Sequence, residues 1–180
     1  MPKKIIKRFA IMLSILCTFI IIILIFRVNV RFRNSKQYVY QMNEYFECEN
    51  QLQYSVTNAG FFSDDDKELF QDIETDEYEI IGCYIDISVV NNGETSIHIN
   101  LADYVLTSGG WGQRVNYPLF TKVNKQYNST LKPGESTEFR LPFTVPSSVF
   151  TDKQWDKVME REYSLVFSLY PAKQEVEINL

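Results

Sequence analysis

The stretch IIGCYIDISVVNNGE, residues 80–94, decides the fold. Ile81, Cys83, Ile85, Ile87 and Val89 fall on one side of an extended chain, with Tyr84, Asp86 and Ser88 opposite. Successive side chains of a strand point to opposite faces, so this alternation predicts a strand over residues 80–90 with one face in a core and the other wetter. Asn91, Asn92, Gly93 and Glu94 follow. An Asn-Gly pair tolerates positive φ, which predicts a chain reversal. Residues 96–101 alternate Ile97, Ile99 and Leu101 with His98 and Asn100 and are expected to form the returning strand.

The same period recurs on both sides of this stretch. Leu52, Tyr54 and Val56 alternate with polar neighbours, residues 103–107 read as a short strand, and Phe139, Leu141, Phe143 and Val145 share a face. Pro142 lies within that last run and cannot donate to a ladder, so the strand belongs at an edge or carries a bulge. Tyr163, Leu165, Phe167 and Leu169 alternate, as do Val176, Ile178 and Leu180. An edge strand is expected after Pro118. Thr151 and Gln154 form a capping-box pattern that opens a short helix over residues 152–160, with Trp155, Val158 and Met159 on one side. About seven strands separated by turns, with one short helix, predict an all-β, antiparallel immunoglobulin-like sandwich. The Cys-Trp-Cys core of antibody domains is missing.

Residues 9–26 (FAIMLSILCTFIIIILIF) carry no charge. As a helix they span about 27 Å, close to the roughly 30 Å of a bilayer core, which predicts a single N-terminal transmembrane helix. The expected organisation is a cytoplasmic basic tail at 1–8, an anchor at 9–26, a juxtamembrane stalk at 27–44 and the sandwich at 45–180. Lys3, Lys4, Lys7 and Arg8 precede the anchor, and Arg27, Arg31, Arg33 and Lys36 follow it. The flanking charges balance, so orientation rests on the dominance of the first helix: a single-pass cell-membrane protein with an extracellular C-terminal domain and the lipid bilayer as partner. The stretch is longer than a signal-peptide core and lacks a small-residue cleavage site, so it reads as a signal anchor that stays uncleaved. In the stretch 13–17 (LSILC) a leucine, Leu16, stands before Cys17 where a lipobox needs a small residue.

Composition restricts the chemistry of the rest. Residues 1–37 hold eight of the eighteen Lys and Arg and none of the twenty-three acids, leaving ten basic against twenty-three acidic groups, or −13, for residues 38–180. Nucleic acid as a partner is excluded, since a phosphate-binding face needs clustered Lys or Arg. The acidic run over 63–79 lacks the alternate spacing, central Gly and terminal Glu of a calcium loop, so neither a metal nor a cofactor is expected. His98 is the sole histidine, and no G-x-S-x-G, H-E-x-x-H or phosphate-binding loop is present. An enzyme would depend on unpaired carboxylates alone.

Two features remain as candidates. Cys48 and Cys83 either pair as a disulfide or are two separately buried thiols. Trp111 sits among Gly109, Gly110 and Gly112, which reads as a flexible loop; Trp111, Gly110 and Gly112 either meet a partner protein or glycan, or the indole folds back to plug one end of the core.

Three stretches, YIDISVVNNGE at 84–94, LKPGE at 131–135 with the run 139–145, and VEINL at 176–180, resemble the telokin-like immunoglobulin-fold domains of Gram-positive bacterial membrane-anchored or secreted proteins. The resemblance covers about residues 48–180. It implies fold and location, supplies no catalytic residues, and points to a family of unknown function. The expected function is a membrane-anchored extracytoplasmic binding or accessory module for an envelope protein or glycan. The alternatives are a self-assembling structural surface protein and, less favoured, a carboxylate-based enzyme.

Overall fold

The computed structural model describes residues 3–32, 36–48, 51–71, 73 and 77–180. It divides into two units, Met1–Lys36 and Gln37–Leu180. The first holds helix α1 (Lys3–Phe32), whose described apolar side chains are exposed. Here the expected transmembrane helix is overturned. No helix among the described residues is long and apolar enough to cross a membrane. The signal anchor, the bilayer as partner and the single-pass membrane localisation all rested on that helix, and all are corrected with it.

The second unit is an all-β sandwich with short helices. Its strands are β1 (Gln37–Tyr40), β2 (Phe46–Glu47), β3 (Leu52–Phe61), β4 (Ile80–Asn91), β5 (Ile97–His98), β6 (Val105–Ser108), β7 (Trp111–Arg114), β8 (Thr130–Leu131), β9 (Ser136–Pro146), β10 (Tyr163–Ser168) and β11 (Lys173–Ile178). They form a five-stranded sheet in the order β1-β11-β10-β6-β7, a four-stranded sheet β2-β3-β4-β9, and the small pair β5-β8. Pairing is antiparallel except between β1 and β11. Gln37–Tyr40, assigned to the stalk from sequence, is therefore a strand of the sandwich.

The alternation in β4 holds. Cys83, Ile85, Ile87 and Val89 are fully buried, facing the core shared with Leu141, Phe143, Val145, Leu106, Leu165 and Val176. At ~25 cal/mol per Å² of apolar surface, each such side chain contributes about 1.5–3 kcal/mol, which makes this layer the main source of cohesion. Pro142 lies on β9, an edge strand, as its missing N–H requires.

Two expectations fail for local reasons. The segment after Gly93 does not return along β4, whose two sides are taken by β3 and β9; β5 pairs with β8 instead. The region after Pro118 is helix α2 (Tyr117–Val123), not a strand. Asn116 caps it by accepting from the Leu119 N–H, and Pro118 falls in the first turn, where a missing N–H costs nothing.

Asn91 ties the two turns of one end together. Its side chain is fully buried and donates to Thr95 O (2.8 Å) and Leu131 O (2.9 Å), while its Oδ1 accepts from the Gly93 N–H (2.9 Å). Its backbone N–H donates to Glu135 O (2.9 Å), and its carbonyl accepts from the Gly134 N–H (2.8 Å). Replacing Asn91 with Ala leaves the buried Leu131 carbonyl without this donor and frees the less buried Gly93 N–H and Thr95 carbonyl, and the expected loss is about 1–3 kcal/mol. A urea-unfolding midpoint measured on wild type and variant checks this, with the denaturant slope unchanged.

Candidate functional site

The end of the sandwich opposite Asn91 gathers the starts of β4, β7 and β10 with the ends of β3, β6, β9 and β11. Trp111 lies here, on an edge strand and not on a flexible loop. Gly109 and Gly110 form the two-residue turn between β6 and β7, with only Gly109 at positive φ (+59°), as a type II′ hairpin demands. Gly112 sits on β7, where an added Cβ would make ordinary contact with Thr107 (3.5 Å).

Trp111 is half-buried and packs on Phe150, their ring centroids 5.8 Å apart. Phe150 lies 6.2 Å from Trp155, on α3 (Asp152–Trp155). The expected helix over 152–160 stops there and resumes as a short 3-10 turn at Val158–Glu160. Trp155 is fixed by its indole N–H, which donates to Glu79 Oε2 at 2.7 Å. Glu79 is in turn held by the Ser147 hydroxyl and backbone. The Arg161 guanidinium stands over Phe150 at 5.2 Å and donates to Ser108 Oγ (3.0 Å) and Ser108 O (3.3 Å). Trp111, Phe150 and Trp155 thus make an aromatic row braced by directional bonds, with Val149 (53 % exposed) and Met159 (55 % exposed) open to solvent beside it.

A pocket of about 270 Å³ adjoins Met159 and is lined by Phe61, Phe62, Phe70, Ile80 and Ile81, with Ser63 and Asp64 adding a polar side. The acidic segment builds its wall. Asp64–Leu69 forms a 3-10 helix that carries Phe70 back over β4, where Gly82 makes room; a Cβ at Gly82 would lie 2.1 Å from Phe70 Cζ. That volume is below the roughly 300–1,000 Å³ usual for small-molecule sites and suits one or two apolar side chains. A polar groove of about 430 Å³ continues from Met159 along Glu160–Ser164 and the C-terminal residues.

The structure brings Trp111, Gly110 and Gly112 to this end and places the two cysteines apart. Among the described residues both are free thiols. Cys48 bonds to Leu52 at one end of β3, whereas Cys83 pairs with Phe61 at the other, nine residues or about 30 Å away. A disulfide requires Cα atoms within about 7 Å, so no bridge forms. His98 lies at the far end, its Nδ1 3.5 Å from Thr130 Oγ1. Among the described residues no group of three or more His, Cys, Asp or Glu is placed to hold a metal. Phe62, Phe70, Val149 and Phe150 were missed from sequence; the Phe61-Phe62 doublet running past a strand end was the available signal.

Burial pushes the Cys48 thiol up to about 12, with Glu47 adding to the effect, and burial alone pushes Cys83 up to about 12. At pH 8 roughly one thiol in ten thousand is then ionised at either site. Iodoacetamide on the native protein is expected to modify Cys17 alone, and all three cysteines once unfolded, as read by intact mass. Burial also raises Tyr127 and Tyr163 to about 12. These groups are neutral below their unfolded pKa, so their contribution is intact below about pH 9 and is lost as pH rises towards about 12. Fluorescence-monitored unfolding is expected in that window.

The model of the family described as "Domain of unknown function (DUF5028)" matches residues 36–174. A putative lipoprotein (ycdA) from Bacillus subtilis has a TM-score of 0.50 at 16% identity, over 74% of this chain and 38% of that one; the chain thus spans well under half of that protein's length. A conserved hypothetical protein from Bacillus anthracis gives 0.50 at 11% identity, over 76% and 94% of the two chains. The secreted protein MPT63 from Mycobacterium tuberculosis gives 0.51 at 9% identity, over 81% and 100%. At these identities the likeness is one of fold. No curated protein matches. The resemblance to β-sandwich domains of Gram-positive bacteria, read from the turns at 91–94 and 131–135, holds.

Proposed function

The chain belongs to the DUF5028 family, and on that premise we propose that it is a non-catalytic interaction module that grips a protein segment of the cell envelope with the apolar end of its sandwich. The observation that carries this is the braced row Trp111, Phe150 and Trp155 at the end of the sandwich that also exposes Val149 and Met159 and holds the phenylalanine-lined pocket. Fixed aromatic side chains give a large contact area at little entropic cost, and such residues dominate binding energy. The pocket's size favours a single anchoring side chain. The exposed acids around the row, Asp152, Asp156, Glu160 and Glu162, alternate with exposed Lys153 and Lys157 and with Arg161, so recognition of the segment rests on its apolar anchor and not on net charge. In this reading the contact surface is the sandwich.

The test uses the full chain as bait for envelope proteins, followed by affinity measurement on the captured partner. Val149→Asp and Met159→Asp alter exposed side chains and are expected to leave stability unchanged while each weakens binding by about tenfold. Glu94→Gln, in the turn at the opposite end, is the control and is expected to have no effect. Equal binding by all three variants would sink the proposal.

A further inference from the structure

The turn that closes β4 holds the chain's single Asn-Gly pair, Asn92-Gly93. Such a pair is chemically labile. The glycine nitrogen can attack the side-chain carbonyl of the asparagine before it, because glycine has no Cβ to block the approach or to limit the backbone angles the attack needs. Asn92 is exposed, so water reaches its amide.

In this turn the attacking nitrogen is already engaged. The Gly93 N–H donates to Asn91 Oδ1 at 2.9 Å. That oxygen cannot swing away, because the Nδ2 of the same fully buried amide donates to Thr95 O (2.8 Å) and Leu131 O (2.9 Å). The Asn92 N–H donates to Gln51 O (3.2 Å), and the Gln51 side chain stands against Gly93, its Oε1 2.5 Å from where a Cβ would lie. Both amide nitrogens that border the Asn92 side chain are therefore held.

We propose that Asn92 is the chain's site of spontaneous deamidation, and that the bond from Gly93 to Asn91 shuts the reaction off in the folded protein. The first step is a ring closure. Hydroxide takes the Gly93 N–H proton, the nitrogen bonds to Asn92 Cγ, and the Cγ–Nδ2 bond breaks as ammonia leaves with a proton from water. Water then opens the cyclic imide at either carbonyl to give aspartate or isoaspartate. One water is consumed, one ammonia is released, and nothing is oxidised or reduced. The proton is shared with Asn91 Oδ1 while the turn is closed, so the turn must open before the ring can form. Isoaspartate places an extra carbon in the backbone between residue 92 and Gly93, which carries the Gly93 N–H away from Asn91 Oδ1. Deamidation is thus a permanent mark on chains that have opened at this end.

The test incubates the full chain at mildly alkaline pH, native and in urea, with mild detergent to cover the exposed apolar side chains of residues 12–28. Conversion at each asparagine is read by peptide mass mapping. Residue 92 is expected to convert roughly tenfold more slowly in the native chain than in urea, where it outpaces every other asparagine. Asn91→Ala, under conditions where its circular dichroism stays native, frees the Gly93 N–H and is expected to speed native conversion several-fold. Val176→Ala removes core packing without touching the turn, which controls for lowered stability, and it is expected to convert more slowly than Asn91→Ala. Equal rates in the native chain and in urea, a faster asparagine elsewhere in urea, or Asn91→Ala converting no faster than Val176→Ala overturns the proposal.

Discussion

The sandwich depends on the bonds of one buried amide. Asn91 closes β4 and, through its side chain and backbone, fixes the turn that follows and the turn at residues 131–135, so that β9 starts in register beside β4. An isolated amide in such a site would be costly to desolvate. Here its side-chain donors and acceptor and its backbone groups are all matched, which turns the cost of burial into specificity. Gly134, at φ +77°, supplies the backbone conformation the second turn requires.

With one end locked, the other is left to vary. The far end is built from chain segments outside the ladders: the acidic run that lays Phe70 over Gly82, the short helix bearing Trp155, and the hairpin bearing Trp111. Their side chains are braced by Glu79, Ser147, Ser108 and Arg161, all polar groups with fixed partners, while Val149 and Met159 remain uncovered. A rigid scaffold presenting an aromatic surface from its connections is the usual division of labour in sandwich domains.

The candidate site was only partly legible. Trp111 and its glycines stood out because a bulky aromatic among glycines is unusual, yet the glycines serve a hairpin turn and a strand, not a mobile loop. Phe150 gave no signal, and Met159 was read with Trp155 and Val158 on one side of the helix, whereas the structure leaves it exposed. The acidic run was read only for its lack of a calcium-loop spacing; among its described residues Asp64, Asp65 and Glu68 are exposed, and the flanking Phe62 and Phe70 form a pocket wall. The N-terminal reading from eighteen uncharged residues is overturned as well: no helix among the described residues is long and apolar enough to cross a membrane.

By itself, the sequence determined the strands with an inside and an outside. Period-two alternation is a property of the extended backbone and needs no partner to be read, so β4, β9, β10 and β11 were all visible, as were the turns at Asn91 and Pro133. Only the tertiary structure decided which strands pair. β5 leaves β4 because β3 and β9 already flank it, Cys48 and Cys83 lie at opposite ends of β3, Asn116 turns the segment around Pro118 into a helix, and Gln37–Tyr40 joins the sheet from beyond the expected boundary. Pairing and proximity are set by hydrogen bonds and burial between residues far apart in the chain, and local pattern carries no record of those.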